Sequence, residues 1–359
     1  MIGIVGGGLA GLGAAYRLQR DGHDVRVFEA GDEPGGLAAS YETAGDPIEV
    51  FYHHLSASEQ TIVELAEELG VGDVDGRGPS GSQTASGGAV EWRVGENGYY
   101  VDGVVHPMDT PWEIAAYPHL SLYDKFRLGM LVLDVDVRGG IPTFDTYEDL
   151  EDFEEVPVEA FVREHTTDGV YEQFFEPLLD AKFGSRKDDV SAAWLLGRIK
   201  FRGERDLLRG EVLGYVDGGF HRLVEALVEA VGRENVVTGA RVTDVGFDDD
   251  TSEDSGQRVD SIAVETADGT ETYDADAVVV ATMPNVLEEL TGYPCSIDFQ
   301  GSVCAVVSMP EELTGTYWLN VADDARFGAL IEHTNFVPPE RYGGEHLLYV
   351  ASYVQDPSE

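Results

Sequence analysis

Basic side chains are scarce in this sequence: 23 lysines and arginines stand against 68 aspartates and glutamates, a formal charge of −45. That balance excludes nucleic acid as a partner, because binding a polyanion rests on Lys and Arg neutralising phosphates. It also opposes docking on anionic lipid, leaving only peripheral association of another kind open. Cysteine is equally sparse. Cys295 and Cys304 do not have a metal-ligand spacing, and two thiols make no disulfide framework, so both are read as small buried hydrophobes and no metal is expected. Long apolar runs are missing too: none reaches the roughly 18 residues that a membrane-crossing helix needs. With no basic leader ahead of Ile2-Gly3-Ile4-Val5, we expect a cytoplasmic protein.

What is present suffices for a large core, with 43% hydrophobic residues in 359, enough for two domains or one interleaved pair. The acid is distributed, with clusters such as Asp248-Asp249-Asp250 and Glu151-Asp152. We read it as a solvated surface suited to high salt, where screening removes the self-repulsion.

Ile2 to Val5 reads as a buried parallel strand, Leu9 to Asp21 as a helix, and Val25 to Glu29 as a second strand. Together they make a βαβ unit. Ile48 to Tyr52 is strand-like, Thr61 to Leu69 is a helix ended by Gly70, and 71–90 is a loop rich in Gly, Ser and Asp. Asp102-Gly103 predicts a hairpin over 99–105. From Pro111 to Gly210 the pattern is helical, best over Leu122–Leu133, Val158–His165, Tyr171–Leu179 and Ser191–Phe201. A helix over Phe220–Val231 follows. Short strands come next at Asn235–Val237, Arg241–Thr243, Ser261–Glu265 and Ala277–Ala281, with an acidic turn between the last two, and the last is expected to be buried on both faces as it returns to the first sheet.

Gly6-Gly7-Gly8-Leu9-Ala10-Gly11 is G-x-G-x-x-G, placed after a strand and opening a helix. Gly6 allows the tight turn, Gly8 lets backbone approach a pyrophosphate, and Gly11 lets helix pack on strand. The helix N-terminus offers free N–H groups to phosphate. Glu29 lies 29 − 6 = 23 residues after the first glycine, where a carboxylate accepts ribose hydroxyls and disfavours a 2′-phosphate. Gly35-Gly36-Leu37 follows closely and brings backbone to the same dinucleotide from its other side.

In this combination the stretch IVGGGLAGLGAAYRLQRDGHDVRVFEAGDEPGG resembles the flavoprotein superfamily of flavin-containing amine oxidases, protoporphyrinogen oxidase, carotenoid desaturases and UDP-galactopyranose mutase. The segments FYHH (51–54), EPLLDAKFG (176–184), VSAAWLLGRIKFRG (190–203), GYVDGGFHRLVEAL (214–227) and IEHTNFVPPERYGGEHLLY (331–349) are similar to a narrower group, microbial protoporphyrinogen-oxidase-like NAD(P)/FAD-dependent oxidoreductases. The resemblance implies FAD as cofactor and an α/β fold, a Rossmann-like FAD-binding domain over 1–75 and 208–290 interleaved with a mixed α+β substrate domain over 76–207 and 291–359. It implies that the Val242 backbone meets the adenine and that His54 comes round toward the flavin ring. Members of the superfamily continue past this point into a segment that closes the FAD domain. With the chain ending at Glu359, we expect a fragment or a truncated protein.

The activity this implies is an FAD-dependent oxidoreductase taking a hydride from an apolar small-molecule substrate, with oxygen or another acceptor reoxidising the flavin. A redox-neutral enzyme of the sugar mutase kind and a non-catalytic FAD-binding protein are the alternatives. The candidate catalytic residues are His54, for proton transfer, and Lys182, for an acidic substrate group or a water at the flavin. Arg198 and Arg202, four apart on one helix face, suit a substrate carboxylate or phosphate, or pair with local acid. His333 and Asn335 are expected to alternate along a strand that lines the substrate cavity. Tyr99, Tyr100, Phe174, Phe175 and Trp194 supply either pocket wall or core.

Overall fold

A computed structural model of the chain describes residues 1–56, 58–71, 88–137, 148–201, 205–206, 210–248, 258–297 and 299–354. The chain divides into two units: one takes Met1–His53, Thr61–Glu91 and Val216–Asp298, the other His54–Gln60, Trp92–Tyr215 and Phe299–Glu359. Most of the expected 71–90 loop, Asp249, Asp250 and Arg202 lie outside the described residues.

The first unit holds a parallel sheet of four strands in the order Val236–Val237, Val25–Phe28, Ile2–Val5, Ala277–Val280. Ile2 stands opposite both Val25 and Ala277. Ile4, Val27 and Phe28 are buried, as central parallel strands require. Ala277–Val280 departs from its expected burial on both faces: Ala277 is exposed and its three valines are half-buried, because this strand ends the order of the described sheet.

The Leu9–Arg20 helix buries Gly11, Leu12 and Ala15. Its last turn carries Arg17 and Arg20, which suit the negative end of the helix dipole and pair with Glu68. The Phe220–Val231 helix buries an apolar stripe, Phe220, Leu223, Val224, Leu227, Val228 and Val231, at helical spacing. Gln19 Nε2 donates to the carbonyl of Val231 at 3.0 Å and ties the two helices. Beyond them, Arg241–Phe247, Val259–Thr266 and Gly269–Asp274 form an antiparallel meander. Its Val242, Val245, Ile262 and Val264 pack in one core with Val5 and Phe28.

Two further expectations in this unit change. Ile48 to Tyr52 is strand only at Ile48–Glu49, paired with Ser40–Tyr41. The fully buried Glu49 carboxylate accepts the Phe220 N–H at 2.7 Å, which turns the segment inward. The third meander strand, Gly269–Asp274, was expected as an acidic turn; all but one of its side chains are exposed.

The second unit is built on six strands in the order Gly301–Met309, His346–Val354, Ala329–Glu332, Trp318–Val321, Asn97–Val101, Val104–Pro107. The Trp318–Val321 and Asn97–Val101 pair is parallel and the others are antiparallel. The hairpin turns on Asp102 (φ 53°) and Gly103 (φ 78°), a pair of positive φ angles that suits the twist of the flanking strands.

Helices Pro111–Ala116, Leu122–Val132, Val158–His165, Glu176–Phe183 and Ala192–Phe201 carry the rest of this unit. Leu131, Phe161, Val162, Tyr171, Leu179 and Leu196 join Tyr99 and Phe175 in a common core. The aromatic set expected as pocket wall or core thus contributes Tyr99 and Phe175 to packing, with Phe174 stacked on Tyr99 at 5.3 Å. The helix expected over Tyr171–Leu179 begins instead as a π turn, Tyr171–Phe175, and becomes regular only at Glu176. Pro177 supplies no N–H to continue the ladder, which accounts for the break. Cys295 and Cys304 are both partly exposed, not buried. Among the described residues, no helix is long and apolar enough to cross a membrane, and no group of three His, Cys, Asp or Glu side chains suits a metal.

Candidate functional site

The most constrained backbone of the first unit lies where Ile2–Val5 turns into the Leu9–Arg20 helix. Gly6 has φ 103°, and a Cβ there would stand 2.9 Å from the Ala281 carbonyl oxygen. A Cβ on Gly11 would stand 1.9 Å from the Gly6 carbonyl oxygen. Turn and packing therefore demand both glycines. Gly8 differs. Its φ is an ordinary −74°, and a Cβ there would meet no other protein atom closer than 3.9 Å.

Neither strain nor protein packing requires glycine at 8. What the missing side chain leaves is room, bounded at van der Waals distance by Gly35 and Gly36, before a helix N-terminus that has no side-chain cap. The first N–H groups of the helix, which have no carbonyl within the helix to bond, and the positive end of its dipole converge there, as a pyrophosphate needs.

The second glycine pair closes this space from the other side. The Gly35 N–H bonds the Gly7 carbonyl at 2.9 Å, and Gly8 bridges Gly35 in parallel. Gly35 (φ 132°) and Gly36 (φ 57°) hold the turn, with a Cβ on Gly36 only 3.3 Å from the Gly8 Cα. Beside it Leu37 is 68% exposed, an apolar side chain at the rim. Leu9 is half-buried and Ala10 exposed at the head of the helix.

Glu29 is fixed by backbone on several sides. Its Oε2 accepts the Gly7 N–H at 2.6 Å and its Oε1 accepts the Gly31 N–H at 2.7 Å. Its own N–H donates to Val237, and its carbonyl accepts the Ala240 N–H, each at 2.8 Å. Each carboxylate oxygen keeps further lone pairs for a ligand hydroxyl. Val242 follows two residues after Ala240. Its side chain is in the core, so only its backbone is available to a ligand.

In the second unit, His54 and Lys182 lie against the same indole. The His54 ring meets Trp318 edge-on at 6.1 Å, and the Lys182 ammonium sits 5.4 Å from the Trp318 centroid and 5.8 Å from that of Tyr353. His54 Nδ1 is 3.0 Å from the Tyr317 hydroxyl. The neighbouring His53 belongs to the first unit, with its Nδ1 2.6 Å from the Phe51 carbonyl and its ring against Phe220.

Arg198 is exposed and lays its guanidinium over Trp194 of its own helix at 5.3 Å. The strand expected to carry His333 and Asn335 stops at Glu332, and His333–Asn335 is a 3-10 turn. His333 and Thr334 are both buried, so the expected alternation does not hold. Glu332 is fully buried and its carboxylate accepts the N–H groups of Leu313 and Thr314, which pulls the chain out of the strand path.

His333 has no exposed surface. It bonds the Tyr342 hydroxyl at 2.7 Å through Nε2 and packs among Tyr215, Tyr342 and Tyr349. Burial, with a smaller push from Arg341, drives its pKa down to about 3, so the ring is neutral. Asn335 donates from Nδ2 to the Thr316 carbonyl at 2.9 Å.

Sequence reasoning passed over the donors Gly7 and Gly31, and over Tyr317, Trp318 and Tyr353. Gly31 carries a signal in retrospect, a glycine two residues after the strand-end acid. The aromatic trio carries none, since four separate segments build the cluster. It also passed over a cavity of about 470 Å³ in the second unit, lined among others by Glu96, Asp109, Glu113 and Trp112. Burial raises the Asp109 pKa to about 6, against the lowering effect of its bonds from Asn97 and with Glu113 and Glu96 adding to the rise.

The family model described as flavin containing amine oxidoreductase matches residues 9–356. A putative flavin-containing monoamine oxidase, AofH, of Mycobacterium tuberculosis is 24% identical over 267 residues, 71% of this chain and 54% of that protein. A coproporphyrinogen III oxidase of Propionibacterium freudenreichii is 28% identical over 206 residues, 56% of this chain and 35% of that protein. This chain therefore spans about half the length of the first relative and less of the second. Among solved structures, a putative protoporphyrinogen oxidase from Exiguobacterium has a TM-score of 0.67 at 17% identity, covering 98% of this chain and 77% of that one, a likeness of fold.

Proposed function

The chain belongs to the flavin containing amine oxidoreductase family, whose cofactor is a flavin, and from that premise we propose an FAD-dependent oxidoreductase that takes a hydride from an apolar organic substrate. The observation that carries the cofactor half of this reading is Gly8, a glycine that neither its φ nor its protein neighbours require. The residues present fit the adenosine diphosphate half of FAD. Backbone N–H groups at the head of the Leu9–Arg20 helix would meet the pyrophosphate, with Gly35-Gly36 facing them and Leu37 at the rim. Glu29 would accept the ribose hydroxyls, and its charge would repel a 2′-phosphate. The Val242 backbone would meet the adenine. FAD held there supplies the two-electron acceptor for the substrate hydride.

The protein's own part is to bind, orient and manage protons. We assign His54 and Lys182 to the substrate side, a reading supported by the contact each makes with Trp318. Lys182 keeps a cation against two aromatic faces, an arrangement that suits an acidic group on an otherwise apolar substrate. His333 is assigned to packing, because no part of it is accessible. Arg198 and Asn335 are retained as binding residues at the edge of this reading. The relatives' names, a monoamine oxidase and a coproporphyrinogen oxidase, give two substrate classes to try first. Anaerobic mixing with amines and porphyrinogens tests the reading: loss of oxidised-flavin absorbance with one class supports it, and no bleaching of a flavin-loaded chain by either contradicts it.

A further inference from the structure

Resting on the assignment of His54 to the substrate side, we infer that Tyr317 is a positioning residue that holds the His54 imidazole in its Nε2–H tautomer. His54 then meets its ligand as a hydrogen-bond donor and not as a base.

Tyr317 is the rigid member of the pair. It is 1% exposed, and its ring lies on Phe336 at 4.6 Å. Its backbone is tied on both sides: its N–H donates to the Glu96 carbonyl at 3.0 Å, and its carbonyl accepts the Glu332 N–H at 2.9 Å. His54 is half-buried on a segment without regular structure. A fixed hydroxyl 3.0 Å from Nδ1 therefore orients the ring. Trp318, edge-on to the same ring, limits its tilt.

The direction of the proton follows from donor strength. A buried phenol hydroxyl needs an acceptor. Of the two groups, the phenol is the more acidic donor and a bare imidazole nitrogen the more basic acceptor, so the favoured bond runs from the Tyr317 O–H to Nδ1. The proton on a neutral imidazole is placed by the bond its other nitrogen makes, which here leaves it on Nε2. A histidine fixed in this way can hold a developing negative charge on a ligand, and it has no lone pair at Nε2 with which to remove a proton.

A two-bond nitrogen–proton correlation spectrum of the isotope-labelled full chain, recorded where imidazole is neutral, reads the tautomer directly. His54 is assigned by the signals lost in His54→Gln. The expected wild-type pattern is a protonated Nε2 with a bare, hydrogen-bonded Nδ1, and Tyr317→Phe should average the two nitrogens toward a tautomer mixture. A proton on Nδ1 in the wild type overturns the proposal, as does an unchanged pattern in Tyr317→Phe. Should that variant not fold, the wild-type spectrum alone decides. A chain with the expected tautomer that takes up no flavin contradicts the functional reading and leaves the Tyr317 assignment standing.

Discussion

The Glu29 carboxylate reaches back 22 residues to accept the Gly7 N–H at 2.6 Å, so the acid that ends the second strand braces the loop that ends the first. A second bond, from the Gly31 N–H at 2.7 Å, fixes its other oxygen. The carboxylate is therefore oriented before any ligand arrives, and the cost of ordering it is not charged to binding.

Glu29→Ala removes both braces and the proposed ribose contact. Charge-assisted hydrogen bonds of this kind contribute about 1.5–3 kcal/mol, so flavin affinity should fall roughly tenfold to a hundredfold. Titrating FAD into the flavin-free variant, with fluorescence quenching as the readout, checks the number. Wild-type affinity would remove Glu29 from the site.

Gly8 and Gly11 should respond to alanine in opposite ways. At Gly11 the new methyl group runs into the Gly6 carbonyl oxygen, so Gly11→Ala should lower the melting temperature with or without flavin. At Gly8 no protein atom lies closer than 3.9 Å, so Gly8→Ala should unfold like the wild type without flavin and lose the shift in melting temperature that flavin produces. Thermal unfolding of both variants, with and without FAD, separates the two roles.

His333 should make the protein acid-sensitive. Its folded-state pKa is depressed to about 3 from the ordinary 6.5, so below pH 6.5 the unfolded chain binds a proton that the folded chain refuses. Its contribution is fully present above that value and is lost as pH falls toward 3. By pH 5 the loss is about 2 kcal/mol, at 1.36 kcal/mol per unit. Denaturant unfolding of wild type and His333→Phe at pH 7 and pH 5 tests it: the variant should lose less stability between the two, and equal losses would contradict the assignment.

Asp109 should act with the opposite sign. Burial raises its folded pKa to about 6 from 3.8, so the folded chain holds the proton more tightly. Its stabilising contribution is present below pH 3.8 and is lost as pH rises through 6. Asp109→Asn should flatten the stability profile between pH 4 and 6, measured by the same unfolding experiment. An unchanged profile would contradict the raised value.

The βαβ unit was legible because three independent signals coincide at 2–29: an apolar run, a helical stripe and glycines at fixed spacing. The helices Val158–His165 and Phe220–Val231 fall where their apolar periodicity predicts, since each buries one continuous face. Gly269–Asp274 was not legible, because polar side chains pointing into water give no alternation and pairing alone makes it a strand. Ala277–Val280 was read as a strand, but four apolar residues in a row look the same at the edge of a sheet as at its centre. His333 was misplaced because a buried acid, Glu332, ends the strand one residue before it, and an acid in an apolar pattern reads as exposed. The site divides in the same way: the phosphate loop is local in sequence, whereas His54, Lys182, Trp318 and Tyr353 meet only through the fold.

The claim on which everything else rests is that this chain holds FAD, and the visible absorption spectrum of the purified chain in high salt tests it most directly. Oxidised-flavin bands should stay with the protein through desalting, or appear on adding FAD to a colourless preparation. A folded chain that remains colourless and quenches no added flavin would contradict the claim.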